Sequence, residues 1–276
     1  MTVQMPTTEP PRFAFGENWK AFLTALDESR IEQAVESLEE LLGVDSLEGT
    51  KFLDIGSGSG LFSLAAHRMG AEVVSFDYDV DSVACTNELK SRYGSESPNW
   101  QVCQGSVLDE AFMQSLGEFD VVYSWGVLHH TAEMTRAIEI AQRRVSDGGF
   151  LCIAIYNDQG GASRRWLKIK KFYNRLPKWL RPALVIKIAA WYELKFALAR
   201  LSRGKNPLPF ADWRAKKKDR GMSAWHDWVD WIGGLPFEVA TPEEIILPLR
   251  NNDFVLENLK TVGNGWGCNE YVFRKL

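Results

Sequence analysis

The sequence predicts an α/β fold: a doubly wound, seven-stranded sheet, mostly parallel with an antiparallel last strand, plus an N-terminal helical cap and a helical insert after strand 5. Three observations predict it. Short β-prone runs alternate with helix-length segments between residues 51 and 156, and strands alternating with helices build a parallel sheet covered on both faces. A glycine-rich run, Gly56-Ser57-Gly58-Ser59-Gly60, stands where the first strand would turn into the first helix. Two further β-prone runs lie at the C-terminus, close enough to pair antiparallel.

Taken in order, residues 18–42 carry apolar side chains at Trp19, Phe22, Leu23, Leu26, Ile31, Val35, Leu38, Leu41 and Leu42. That spacing predicts one or two amphipathic helices ending at Gly43. Strands are expected at 51–55, 71–76, 100–103, 120–124 and 150–155, with helices at 61–69, 80–93, 109–116 and 132–145. The last of these helices is stopped by Asp147-Gly148-Gly149. Thr241-Pro242-Glu243-Glu244 offers an N-cap, an N1 proline and early acids, opening a helix to about Asn251. Strands at 254–261 and 269–274 then meet across Gly263-Asn264-Gly265. Four parts are expected: a helical cap (1–49), a cofactor-binding core (50–156), an insert or substrate lid (157–240), and a C-terminal completion of the core (241–276).

Composition excludes other classes. The 276 residues are 45% hydrophobic and 25% charged, which rules out disorder, collagen and coiled coil. Cys85, Cys103, Cys152 and Cys268 form no close pair, so neither a disulfide scaffold nor a metal site is expected. Residues 1–12 lack a basic start followed by an apolar run, and the apolar stretch 183–201 is interrupted by Lys187, Glu193, Lys195 and Arg200. A cytoplasmic protein is therefore expected, with at most a peripheral place at a membrane.

The insert differs from the rest of the chain. Residues 156–221 hold 18 Lys and Arg against four acids, a balance of +14, which leaves −18 elsewhere in a chain of net charge −4. Seven of the eleven tryptophans fall between Tyr156 and Ala240. Such a segment suits RNA phosphates with stacked bases, an anionic membrane beside an amphipathic helix, or a lid whose charge merely complements the acidic core.

The glycine run points to a nucleoside-containing ligand. Glycines there let a ligand approach the backbone at the carboxyl edge of the sheet, and Asp77, twenty-one residues after Gly56, ends the second strand, where a carboxylate can hold ribose hydroxyls. A dinucleotide loop would want a glycine where Leu61 stands, and Asp54 would repel a pyrophosphate while attracting a cation such as the amino group or sulfonium of S-adenosyl-L-methionine. No lysine lies in the loop, which excludes a P-loop.

On these residues the sequence resembles the class I S-adenosylmethionine-dependent methyltransferases. The matching motifs are Asp54 to Gly60, Asp77-Tyr78, Gly105-Ser106, Phe119-Asp120-Val121-Val122-Tyr123-Ser124, Gly126-Val127-Leu128-His129-His130-Thr131 and Gly148-Gly149-Phe150. The resemblance covers residues 50–156 closely and the C-terminal elements loosely. It implies that Asp54, Gly56, Ser57, Gly58 and Gly60 line the methionine side, that Asp77 binds ribose, and that Tyr78 lies against adenine. Ser106, with the backbone at Val107, would stand in for the aspartate that relatives place near the adenine amine, and Ser124 would border the site. The product would be S-adenosyl-L-homocysteine.

Methyl transfer from a sulfonium is an in-line displacement, so the protein must chiefly align the nucleophile and exclude water. A hydroxyl nucleophile gains from a general base; the candidates are His130, His129 and His226. The same residues can also serve as a helix cap, a loop contact or a surface histidine. Tyr156, Asn157, Trp225, Asp227 and Trp228 are the candidates for holding substrate, with Asn264 and Trp266 behind them; packing of the insert onto the sheet is the alternative use of the tryptophans. The acceptor expected is small or lipid-linked, of sugar, quinol or polyketide type, giving O-methylation. An RNA-modifying enzyme, or a nucleotide- or lipid-binding module without turnover, remains as an alternative.

Overall fold

Strands β1 (Lys51–Ile55), β2 (Glu72–Asp77), β3 (Trp100–Gln104), β4 (Phe119–Trp125), β5 (Val145–Tyr156), β6 (Phe254–Lys260) and β7 (Cys268–Lys275) form one sheet in the order β3-β2-β1-β4-β5-β7-β6. The computed structural model describes residues 26–94, 99–208, 224–263 and 265–276, with the side chains of Ala224, His226, Asp227 and Asp230 left outside that set. The strands from β3 to β5 are parallel, and β7 runs antiparallel between β5 and β6. The chain winds outward from β1 to β3, then returns to place β4 on the other side of β1. That reversal opens a crevice at the carboxyl ends of β1 and β4.

Helices cover both faces because alternate strand residues are apolar on both. On one face, Phe52 of β1 packs with α1 (Glu28–Leu42), α2 (Leu61–Arg68) and α3 (Val80–Tyr93) through Ile31, Leu38, Leu64 and Leu89. On the other, Leu53 and Ile55 meet α4 (Glu110–Ser115) and α5 (Met134–Gln142), together with the C-terminal helix Pro242–Arg250, through Met113, Ile138, Ile245 and Leu249. Each such fully buried aliphatic side chain contributes about 1.5–3 kcal/mol. Helix α1 begins at the Asp27 cap and stops at Gly43, whose φ of 68° only glycine adopts without strain.

Beyond β5 the chain makes a helical excursion: α6 (Gly161–Arg175), a 3₁₀ turn at Lys178–Leu180, α7 (Arg181–Leu201), then α8 (Ala224–Gly233). Its own core joins Trp166, Tyr173, Val185 and Ile232, with Tyr192, Trp228 and Phe237 packed around them. The excursion leaves and returns at one place, where Ala240 N–H donates to Tyr156 O (3.0 Å) and Asp158 N–H donates to Ala240 O (3.0 Å). Helix α9 (Pro242–Arg250) then opens with a complete capping box between Thr241 and Glu244.

Two expectations are corrected. The helix expected at 132–145 ends at Gln142, and the strand expected from 150 already begins at Val145. Asp147-Gly148-Gly149 does not stop a helix but forms a bulge inside β5: Phe119 pairs Val145 while Val121 pairs Phe150, and Gly148 takes φ 77°. The antiparallel pairing of β6 with β7 is as expected, across residues 261–267 rather than a tight turn; Asn264 lies outside the described residues.

Candidate functional site

The glycine loop sits in the crevice. Gly56, Gly58 and Gly60 take φ of 79°, 55° and 81°, so each turn of the loop uses a backbone conformation open chiefly to glycine. At Gly56 space matters as well, because a Cβ would lie 2.5 Å from Val127 Cγ1. The Gly56 and Ser57 N–H groups donate to Phe76 O at 2.8 and 3.1 Å, which pins the loop to the end of β2. Ser57 Oγ bonds Thr86 Oγ1 of α3 at 2.9 Å.

Two carboxylates flank this loop, and each is held from outside the motif that announces it. Asp77 Oδ2 accepts Gly58 N–H (2.9 Å) and Oδ1 accepts Asp79 N–H (2.9 Å), so its plane is fixed against the loop. Burial raises its pKa, and these N–H donors pull the other way. Asp54 is 3% exposed beneath the loop, and its Oδ2 accepts from Ser63 Oγ at 2.5 Å. Behind Ser63, Ser75 Oγ–H donates to Ser63 Oγ (2.7 Å) and Trp100 Nε1–H donates to Ser75 Oγ (2.8 Å). Burial pushes the Asp54 carboxyl up to about 7, the Ser63 hydroxyl opposes the rise, and nearby Asp77 adds to it. The relay was missed from sequence. Its signal is a serine at two positions, 63 and 75, where the helix and strand patterns call for buried apolar residues.

The other predicted positions divide by use. Tyr78 is half-exposed at the end of β2, and its carbonyl accepts Gln104 Nε2–H at 3.1 Å. Ser106 Oγ accepts Leu108 N–H at 3.2 Å, and Val107 is buried beside it. Ser124 is fully buried and donates to Ile55 O (3.0 Å), tying β4 to β1. Asn157 uses both ends of its amide on the late loop, donating to Gly263 O (2.8 Å) and accepting from Asn269 Nδ2 (3.1 Å).

His129 and His130 occupy a 3₁₀ turn at Leu128–His130, directly after β4. His129 is wholly buried, with its ring centre 3.9 Å from that of Tyr156. Desolvation keeps it neutral, far below the usual imidazole range. His130 Nδ1 lies 2.5 Å from Pro236 O. A carbonyl only accepts, so the proton sits on Nδ1 and Nε2 carries the lone pair. Burial brings the His130 pKa down to about 4, the Pro236 carbonyl opposes this, and the nearby Lys170 cation adds to it.

Tyr156 joins these histidines to the insert. Its ring lies 5.5 Å from both Trp231 and Phe237, and a small recess beside it is lined by Tyr156, Gln159, Trp166, Trp231, Phe237 and Trp266. Trp228 stacks on Tyr192 at 5.9 Å, whereas Trp225 is exposed. The side chains of His226 and Asp227 lie outside the described residues. Lys170, one of the 18 basic residues of the insert, is 1% exposed, donates to Trp231 O and stands 4.7 Å from the Phe237 ring centre. Its position gave the clue, because Trp166, Ile169, Lys170 and Tyr173 share one helical stripe. Glu238 was missed too: its N–H donates to His129 O (3.0 Å) and its carboxylate accepts Met134 N–H (3.1 Å) at the start of α5.

Comparison with known proteins gives one family and a fold. The family described as "Methyltransferase domain" matches residues 46–200, more than half of the chain. A ubiquinone biosynthesis O-methyltransferase from Brucella melitensis is 28% identical over 111 residues, which is 40% of this chain and 43% of that protein. The match therefore spans under half the length of that curated relative. Among solved structures, magnesium protoporphyrin IX methyltransferase from Synechocystis PCC 6803 with bound SAH superposes with a TM-score of 0.55 at 14% identity, over 94% of each chain. A putative S-adenosylmethionine-dependent methyltransferase from Listeria monocytogenes gives 0.52 at 12% identity, over 88% of this chain and 98% of that one.

Proposed function

Since the chain belongs to the methyltransferase domain family, we propose that it uses S-adenosyl-L-methionine to methylate a hydroxyl on a small or lipid-linked acceptor. The observation that carries the cofactor assignment is the pair of carboxylates set on either side of the glycine loop. Asp77, fixed in plane by Gly58 and Asp79, has the geometry to accept two ribose hydroxyls. Gly56 and Gly58 take positive φ, and without side chains in the loop a ligand can approach its backbone closely. Asp54, desolvated and raised to about 7, gains most from a cation nearby, which suits an ammonium and a sulfonium and disfavours a pyrophosphate. Tyr78, half-exposed at the end of β2, offers a flat face for a base, and the turn at Ser106 and Val107 offers backbone polar groups for its edge.

When bound, the cofactor supplies a methyl group on a sulfonium, an electrophile that needs alignment more than activation. The protein's residues would then do three things. The aromatic cluster of Tyr156 and Trp231 excludes water beside His130 and offers ring faces to an acceptor. His130, neutral at physiological pH with its lone pair on Nε2, takes the hydroxyl proton. Pro236 O, itself on the returning insert, keeps that imidazole in the required tautomer. The likeness to ubiquinone biosynthesis O-methyltransferases supports O-methylation, and the cluster of rings beside His130 supports an aromatic or partly apolar acceptor.

The test is calorimetric titration of S-adenosyl-L-methionine and S-adenosyl-L-homocysteine, with Asp77→Ala as the comparison. Micromolar binding by the parent protein is expected. Loss of two charge-assisted hydrogen bonds, each about 1.5–3 kcal/mol, should weaken the variant at least a hundredfold. Equal binding by both proteins would refute the ribose assignment. Binding of a nicotinamide dinucleotide in place of either ligand would refute the cofactor.

A further inference from the structure

Helix α7 is apolar on the side that meets no other part of the described protein. Its inner face is occupied: Val185 is fully buried, Tyr192 stacks on Trp166 at 5.5 Å, and Phe196 and Tyr192 meet Trp266. Its outer face carries Ile186, Trp191, Leu194, Leu198 and Leu201, between 54% and 60% exposed, preceded by Trp179 at 77%. Spaced three to five residues apart, these positions fall on one side of the helix and form a stripe along about 23 Å of it. Water-facing apolar stripes of that length are rare on soluble surfaces.

The charge around the stripe is of one sign. Residues 161–208 contain 13 Lys and Arg and a single acid, Glu193, and that acid is half-buried beside Arg200 at 3.8 Å. Lys187 and Lys195 are exposed on the stripe itself, Lys178 stands next to Trp179, and the outer face of α6 presents Arg164, Lys168, Lys171 and Arg175. No described helix is long and apolar enough to cross a membrane.

We propose that the outer face of α7, with the Trp179 turn and the basic face of α6, docks in the plane of an anionic lipid surface. This goes beyond the transferase reading and does not depend on it. Leu, Ile and Trp side chains enter the boundary between headgroups and acyl chains, while Lys and Arg beside them meet lipid phosphates. A second copy of the chain fits less well, because an isologous contact would set this cationic face against itself. RNA would use the cations but would leave Ile186, Leu194, Leu198 and Leu201 without a partner. The same helix packs through Tyr192 and Phe196 on Trp166 and Trp266, two of the rings that line the aromatic recess, so docking would bring those rings towards the level at which a lipid-linked acceptor lies.

The experiment is co-sedimentation of the full chain with vesicles of phosphatidylcholine, alone or mixed with phosphatidylglycerol, at low and high salt. Binding to the mixed vesicles, weakened by salt, is expected. Each basic residue near such a surface contributes about fivefold, so the combined Lys178→Gln, Lys187→Gln and Lys195→Gln variant should bind about a hundredfold more weakly. Trp191→Ser with Leu194→Ser should abolish binding even at low salt. Both variants change exposed side chains, and their S-adenosyl-L-homocysteine affinity, measured on the same samples, should match the parent's. Equal sedimentation with neutral vesicles, or none with either, would overturn the proposal. So would RNA binding without vesicle binding, or a dimer that Leu194→Ser breaks.

Discussion

Asp54 gives the sharpest test of how the loop reads its ligand. Its carboxyl is buried, bonded to Ser63 and raised to about 7, so without ligand only about half of the molecules carry the negative charge at neutral pH. A ligand bearing an ammonium and a sulfonium binds the charged form, and its apparent affinity scales with the ionised fraction. That fraction rises from about one-tenth at pH 6 to about one-half at pH 7, so the affinity should rise about fivefold across that interval. The interval lies below the titration of a free α-amino group near pH 7.7–8.0, about where the ligand itself would begin to lose charge. Calorimetry in buffers of differing ionisation enthalpy counts the protons: about 0.9 should leave per ligand bound near pH 6, and about 0.5 near pH 7. Asp54→Asn should bind more weakly at neutral pH and show a flat profile over the same range. Ser63→Ala removes the one bond that lowers the Asp54 pKa, so it should shift the profile to higher pH. An affinity unchanged from pH 6 to 7 in the parent protein, with no proton release, would refute the electrostatic role of Asp54.

Two further outcomes follow from the same geometry. His130→Ala should lower turnover by about a hundredfold to ten-thousandfold, as loss of a general base does, while cofactor affinity by calorimetry stays at the parent value; near-normal turnover would remove His130 from the reaction. Gly56→Ala places a Cβ 2.5 Å from Val127 at φ 79°. Strain in the left-handed region and overpacking together should cost about 2–4 kcal/mol in denaturant unfolding and abolish cofactor binding, whereas an unchanged unfolding midpoint would show that the loop yields.

Local chemistry made the core legible in sequence. The bounds of β1 and α3 coincide with their expected positions, because a run of β-prone residues ends at glycine in the first case and Asp79 caps the helix in the second. The α9 capping box was equally visible in Thr241-Pro242-Glu243-Glu244. The α5–β5 junction was not, since Gly148-Gly149 serves a helix stop and a β-bulge equally well and only pairing with β4 decides between them. The site divides in the same way. Gly56, Gly58 and Asp77 lie within a short stretch of chain, where a motif can show them together, whereas the Pro236 carbonyl that fixes His130 comes from 106 residues away. The burial of Lys170 was not legible from composition, which counts charge and cannot say which cation a helix turns inward.

That distance between partners also explains how the two halves of the site are joined. The glycine loop is held by groups of the core: Phe76 O, Asp77 and Thr86 bond it directly, and Ser63 holds Asp54 beneath it. The histidine side is held largely by the insert, through Pro236 O on His130, the Glu238 N–H on His129 O, and the rings of Trp231 and Phe237 around Tyr156. Because the excursion begins and ends at the Tyr156–Ala240 junction, its helices can differ in length and surface without disturbing the strand register that sets the loop. The rings that line the recess and the stripe proposed to meet lipid belong to that excursion in large part. On the proposed reading, selectivity for the acceptor and attachment to a surface reside in the insert, while affinity for the cofactor resides in a loop whose described bonds all come from the core.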